Sequence, residues 1–198
     1  MKKTVLSLLL ALSLAQADCT FSQPDNLDVT WKAFKTPLKL GVGGHFTDTD
    51  FKAASLQAPM LETLLVGSTV TIAVASVDSK NKGRDEKLLN DFFKQMAGPD
   101  ITAKIVALKK GEAAKNSGVL TASVMMNGVT RDVPMTYSFS KGQLAANGVI
   151  DLSDFKAQSA LKSINTACYE LHQGKTWSDV EIGFTMDIKA DCDQPAKG

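Results

Sequence analysis

The sequence predicts a mainly β fold: a single antiparallel domain, closed as a barrel or packed as two sheets, with two or three short helices capping or flanking it. Three observations carry that prediction. Runs in which apolar and polar residues alternate with period two recur along the chain, as half-buried strands require. Turn dipeptides such as Asn127-Gly128 and Lys141-Gly142 join consecutive runs, which favours a meander over β-α-β units. Strands with one apolar face must bury it, and a sheet does so by packing on a second sheet or by closing on itself.

In chain order, Leu27, Val29, Trp31 and Ala33 alternate with Asp28, Thr30 and Lys32, giving the first clear strand. Gly41-Val42-Gly43-Gly44 follows. It lacks the Lys-Ser/Thr and helix start of a phosphate loop, so it reads as a bend or bulge in a strand. Pro59 can take a first helical position before Met60, Leu61, Leu64 and Leu65, with Gly67 as the stop. Val70, Ile72 and Val74 repeat the strand pattern within residues 68–77. The segment 85–96 places Leu88, Leu89, Phe92, Phe93 and Met96 at helical spacing, and Gly98-Pro99 ends it. Residues 119–127 form a strand turned by Asn127-Gly128, and Val133, Met135, Tyr137 and Phe139 return from it. Ala146, Gly148 and Ile150 begin the next strand. A longer helix is expected over 154–172, with Ala157, Ala160, Leu161, Ile164, Cys168 and Leu171 on one side and Gly174 past its end. Val180, Ile182, Phe184, Met186 and Ile188 give the clearest alternation of all.

The N-terminus reads as an export signal over residues 1–17. Lys2 and Lys3 precede a short apolar run, and Ala15-Gln16-Ala17 is a small-x-small cleavage site. Asp18 before Cys19 argues against a lipoprotein signal. The mature chain, 18–198, is expected in the periplasm as one domain, with no linker or repeat and no apolar run near the ~20 residues of a membrane helix. Without Lys2 and Lys3, the 22 basic residues fall just below the 21 acidic ones. No basic cluster exists to bind phosphates, so nucleic acid is not an expected partner.

Three cysteines in an oxidising compartment predict one disulfide and one free thiol. The first and last strands of a closed antiparallel barrel are neighbours, which favours Cys19–Cys192. Cys168 is then a buried thiol or a reactive one. The two histidines, His45 and His172, are far apart in sequence, the cysteines show no metal-ligand spacing, and the carboxylates are scattered on outward strand positions. No catalytic site, metal site or cofactor is expected. Interior candidates such as Met125 or its neighbour Met126, Met135, Met186, Ala33 and Gly148 are flexible or slim. They fit either a hollow barrel or a filled core. Arg84 and Asp85 can pair to hold the turn before the aromatic face, or Arg84 can meet a polar head group.

Several short elements together resemble the YceI-like family. Ala75-Ser76-Val77-Asp78 with Asn81, Arg84-Asp85, Leu88 and Asp91-Phe92-Phe93 is similar to its strand-turn-helix signature. Asn127 to Val133 resembles its hairpin, Asn147 to Ile150 with Ser153-Asp154-Phe155 a later element, and Gly44-His45-Phe46 the end of a long strand. The resemblance implies a single antiparallel lipocalin-like β-barrel of about eight strands whose apolar tunnel holds a long-chain lipid, isoprenoid-like or fatty-acyl, with no catalytic residues. Its walls are expected from Trp31, Phe46, Ile72, Val74, Met125, Phe139 and Phe184, with Phe92, Phe93 and Phe155 near an opening; one register slip reverses the inward face. The implied function is periplasmic sequestration or carriage without stable membrane insertion, with a homodimer as the oligomer allowed for. The alternative is a non-enzymatic interaction or stress protein with a filled barrel. Lys94-Gln95-Met96-Ala97-Gly98-Pro99 departs from the family's usual Lys-Tyr-Pro step, the 154–172 helix is longer than expected, and the cysteines are not a general feature of the family.

Overall fold

In this computed structural model, residues 19–22, 26–111 and 116–192 are described; the predicted signal over 1–17 lies outside them. The elements run β1 (Cys19–Ser22), β2 (Asp28–Lys35), β3 (Leu40–Phe46), β4 (Thr49–Lys52), β5 (Gln57–Ala58), α1 (Leu61–Leu65), β6 (Thr69–Ala73) and β7 (Val77–Asp78). They continue with α2 (Lys82–Lys87), β8 (Asp100–Lys110), β9 (Ser117–Met126), β10 (Val129–Ser140), β11 (Gln143–Asp151), α3 (Gln158–Ala167), α4 (Tyr169–His172), β12 (Thr176–Asp187) and β13 (Lys189–Cys192).

Ten of these strands form one antiparallel sheet in the order β4-β6-β8-β9-β10-β11-β12-β2-β3-β7. They amount to eight continuous strands, because β3 runs into β4 across Thr47-Asp48 and β6 into β7 across a 3-10 turn, Val74–Ser76. The two bent strands pair along both halves, Phe46 with Val77 and Thr49 with Ile72. At the bend, Thr47 N–H donates to Ser76 O and Ala73 N–H to Asp48 O. The sheet thereby closes on itself, and among the described residues no barrel edge is left unpaired.

Sequence chemistry explains the tight joints. Asn127 and Gly128 both have positive φ (52° and 71°), as do Lys141 and Gly142 (52° and 78°), the requirement of a two-residue turn matched to strand twist. Period-two burial then follows: Leu120, Ala122, Val124 and Met126 face in from β9, and Val133, Met135 and Tyr137 from β10.

Several sequence expectations are corrected here. Gly41 to Gly44 pair in regular register with β2, without a bulge. The glycine that matters is Gly44, where a Cβ would collide with the Asp78 carbonyl oxygen and lie 2.9 Å from both Ser79 Cα and the Trp31 ring. Its bare backbone lets β3 approach β7 at the seam and leaves room for the indole. Gly44→Ala is expected to cost about 1–3 kcal/mol through overpacking, read as a lower urea midpoint at unchanged m-value. Val74 leaves the strand path, because the 3-10 turn begins there and its N–H bonds to Pro99 O. The expected 154–172 helix is two shorter ones. Lys156 has φ 54°, which blocks a helix start before α3, and Cys168 (φ −116°, ψ 20°) separates α3 from α4, so Leu171 ends up exposed.

The first and last described strands join β5 in a separate three-stranded sheet, β13-β1-β5. Cys19 lies directly opposite Cys192, and the two are joined by a disulfide. The pairing matches the expectation but its setting does not, since β2 and β12, not the terminal strands, are the neighbours in the barrel.

Candidate functional site

The helical cap defines one end of the interior. Asn81 caps α2 by accepting from Arg84 N–H (3.0 Å), while the Asp85 carboxylate accepts from Ser79 N–H (2.9 Å) and Ser79 Oγ (2.6 Å). This Asn81 and Asp85 arrangement, not an Arg84–Asp85 pair, holds the turn. The helix continues as a π turn, Leu88–Phe92, and a 3-10 turn, Phe93–Gln95, where Phe93 N–H is shared between Leu88 O and Leu89 O. A π turn adds a residue to the helical circuit, and here Leu88, Phe92 and Phe93 all reach the same cavity. Phe93 packs edge-on against Phe92 (5.2 Å between centroids) and Phe46 (6.2 Å). Asn127 locks the cap in place: its Oδ1 accepts from Ala97 N–H, and its Nδ2 donates to Phe155 O and Lys156 O.

Two adjoining cavities lie inside. The inner one, about 120 Å³, is walled within the barrel by side chains such as Val29, Phe51, Val70, Ala103, Val124 and Met186. The outer one, about 520 Å³, lies between the barrel and α2, α3 and α4. Trp31, Phe46, Ile101, Met126, Ile150 and Ile182 border both and form a waist between the lobes. The walls are overwhelmingly aliphatic and aromatic. Thr30, Ser68, Thr69 and Lys104 also touch the inner lobe, and the outer end adds Lys35, Arg84, Lys87 and His172 with no carboxylate. Lys87 donates to Ala167 O, whereas the Arg84 guanidinium has no hydrogen bond or ion pair among the described residues.

Two titratable groups of the outer lobe, Cys168 and His172, are shifted toward their neutral forms. Burial pushes the Cys168 thiol up from its ordinary value, and a protonated thiol is a poor nucleophile. Burial first, then the charges of Lys35 and Lys87, pushes His172 down. Thr176 Oγ1 donates to Asn165 Oδ1 (2.9 Å), so its 2.7 Å contact with His172 uses a proton on Nδ1. His45 sits elsewhere, on the outside of the seam between Asp28 and Asp78 (3.3 Å to each). There Asp78 is drawn down to about 2, chiefly by its hydrogen bonds from Lys80 and also by the one from His45.

Of the residues expected to line a tunnel, Trp31 and Phe46 border both lobes, Ile72 and Phe184 the inner one, and Phe92 and Phe93 the outer one. Four border neither. Met125 stands on the opposite face of β9 from Val124 and Met126, paired between Thr102 and Thr130, so Met126 takes the place offered to it. Val74 sits in the seam turn. Phe139 packs edge-on against Phe21 (6.2 Å), and Phe155 is core beneath the cap. Sequence reasoning missed Ile101 and with it the whole of β8. The alternation of Ile101, Ala103 and Ile105 with Thr102 and Lys104 was the available signal.

Comparison with solved structures finds the same fold at low identity. A polyisoprenoid-binding domain from Saccharophagus degradans, implicated in plant cell wall breakdown, aligns with TM-score 0.60 at 11% identity over 89% of this chain and all of its own. Burkholderia cenocepacia BcnA gives 0.55 at 20% over 82% of this chain and 96% of its own. The Campylobacter jejuni YceI protein gives 0.52 at 21% over 98% of this chain and all of its own. No curated protein matches in sequence. The YceI-like domain model matches residues 22–191, which takes in the whole barrel and its cap, and the chain therefore belongs to the YceI-like domain family.

Proposed function

We propose that this protein sequesters or carries one long-chain apolar lipid, isoprenoid-like or fatty-acyl, in the two-lobed cavity and does not alter it chemically. The observation that carries this reading is the pair of adjoining apolar lobes meeting at Trp31, Phe46 and Ile101. A space of about 520 Å³ lies within the ~300–1,000 Å³ of small-molecule sites. Each methylene moved into it from water gains ~0.8 kcal/mol, so affinity accumulates along the chain with few polar contacts. A relative bearing the same fold is described as polyisoprenoid-binding, which favours the same class of ligand here. The predicted export signal, together with the disulfide, favours a periplasmic site of action.

The rival is a non-enzymatic interaction or stress protein whose barrel is effectively filled. Native mass spectrometry of the purified mature chain, repeated after organic extraction, separates the two. The carrier retains a stoichiometric lipid that leaves on denaturation. A bare mass, unchanged after incubation with isoprenoid and fatty-acyl lipids, ends the proposal.

The outer end would select the head group. With Arg84 unpaired beside Lys35 and Lys87, a polar or anionic head gains hydrogen bonds there without displacing an existing partner. Arg84→Ala is expected to weaken binding of a prenyl phosphate about tenfold, the ~1.5 kcal/mol of one charged hydrogen bond, and to leave the matching alcohol unaffected. A fluorescence competition series with the two ligands checks it.

A further inference from the structure

The outer end of the barrel carries an apolar rim that the fold leaves uncovered. The β2–β3 turn presents Leu38 (80% exposed) and Leu40, and α4 presents Tyr169 (59% exposed) and Leu171. These two pieces belong to one rim. Thr36 N–H donates to Lys175 O (2.9 Å), Trp177 Nε1–H donates to Thr36 O (2.8 Å), and Tyr169 packs over Gly174, where a Cβ would lie 3.2 Å from its ring. Of the four exposed apolar residues Leu171 lines the outer cavity, beside Lys35 and Trp177 of the same rim, which places the rim next to the cavity.

Charge at this rim is mostly of one sign. Lys35, Lys39, Lys87, Lys175 and Arg84 surround it. Lys39 and Lys175 lie over the Trp177 ring (5.0 and 4.6 Å). Of the acids, Asp179 is paired with Lys39 (2.7 Å), Asp91 acts on the Cys168 thiol alongside Lys87, and Glu86 on α2 and Glu170 on α4 stand exposed. An apolar tip ringed by lysines is the pattern of a surface that settles into the headgroup layer of an anionic bilayer. The terminal position of Leu38 and its neighbours, on a turn and a helix end, suits insertion between lipid heads better than packing on a flat protein face. No described helix is long and apolar enough to cross a membrane, so contact through this rim is peripheral.

We propose that the rim formed by the β2–β3 turn and α4 docks on an anionic lipid surface with the mouth of the outer cavity facing the headgroups. The docking goes beyond the carrier reading and gives it a route, since an apolar chain passing from bilayer to cavity at that mouth stays out of water.

Cosedimentation of the mature protein with phosphatidylcholine vesicles, with and without phosphatidylglycerol, tests the docking. The protein is expected to bind the phosphatidylglycerol vesicles selectively and to be released by salt, each lysine adding roughly fivefold. Leu38→Asp with Tyr169→Asp is expected to lower partitioning at least tenfold. Leu56→Asp, equally exposed but beyond the far end of the β3–β4 strand, is expected to leave it unchanged. Absence of selective binding, or binding that survives the rim substitutions, overturns the proposal. So does sedimentation as a dimer that Leu38→Asp dissolves, which would assign the rim to a second copy of the chain. Because the vesicle assay needs no bound ligand, its failure is distinguishable from loss of the lipid seen by mass spectrometry.

Discussion

Ile101→Trp is expected to fold, to melt no lower than the parent, and to bind long chains far more weakly than short ones. Ile101 borders both lobes, so an indole there fills the waist and leaves the outer lobe open. Each methylene denied entry costs ~0.8 kcal/mol, about fourfold in affinity, and excluding three of them weakens a long chain ~50-fold. A chain short enough for the outer lobe alone keeps its affinity. The same substitution discriminates between a hollow and a filled barrel. In a hollow one the larger side chain occupies empty volume and gains contacts. In a filled one it costs about 1–3 kcal/mol of overpacking, and the melting temperature falls. A titration series over chain length, alongside a thermal melt, reads both at once.

What makes this waist is the way the two bent strands and the cap converge. Phe46 ends β3 at the seam, Gly44 two residues earlier gives Trp31 its room, and the π turn sends Phe93 onto Phe46. A solid barrel centre would need larger side chains than Ala103 and Ala122 at the inner wall. The lobes are therefore a consequence of residue size at inward strand positions, combined with a cap that spans the barrel end rather than entering it.

The barrel was legible wherever alternation and turn chemistry agreed. Asn127-Gly128 and Lys141-Gly142 fixed the β9–β10 and β10–β11 joints, and the Val180 to Ile188 alternation fixed the inward face of β12. The seam was less legible because its strands are bent: Val74 continues the period-two pattern on paper, yet the chain leaves the strand there to form a 3-10 turn. Met125 and Met126 show the limit of composition, since either fits an inward position and only register decides between them. The helical pieces were placed but not shaped. Neither a π turn at Leu88 nor the break at Cys168 has a local signal, because both are set by tertiary packing of the cap. The unpaired state of Arg84 depends on Asp85 turning to Ser79, a choice that sequence alone leaves open.

The terminal disulfide should carry a large share of the protein's stability although the strands it joins are short. β1 and β13 share four residue pairs, and β13 is exposed throughout, so little apolar burial holds them together. The cross-link instead constrains the unfolded chain. With Cys19 and Cys192 separated by 173 positions, the loop-entropy model gives ~5 kcal/mol, and removal of native disulfides typically costs ~2–5 kcal/mol. Cys19→Ser with Cys192→Ser is therefore expected to lower the melting temperature by about 5–15 °C at ~2–4 °C per kcal/mol. It should also raise the denaturant m-value, because the uncrosslinked chain exposes more surface when unfolded. The barrel seam and cavity lie apart from this sheet, so lipid binding at low temperature should persist in the double variant. A small melting shift with an unchanged m-value would mean instead that the terminal sheet already frays in the folded protein, and that the barrel stands without it.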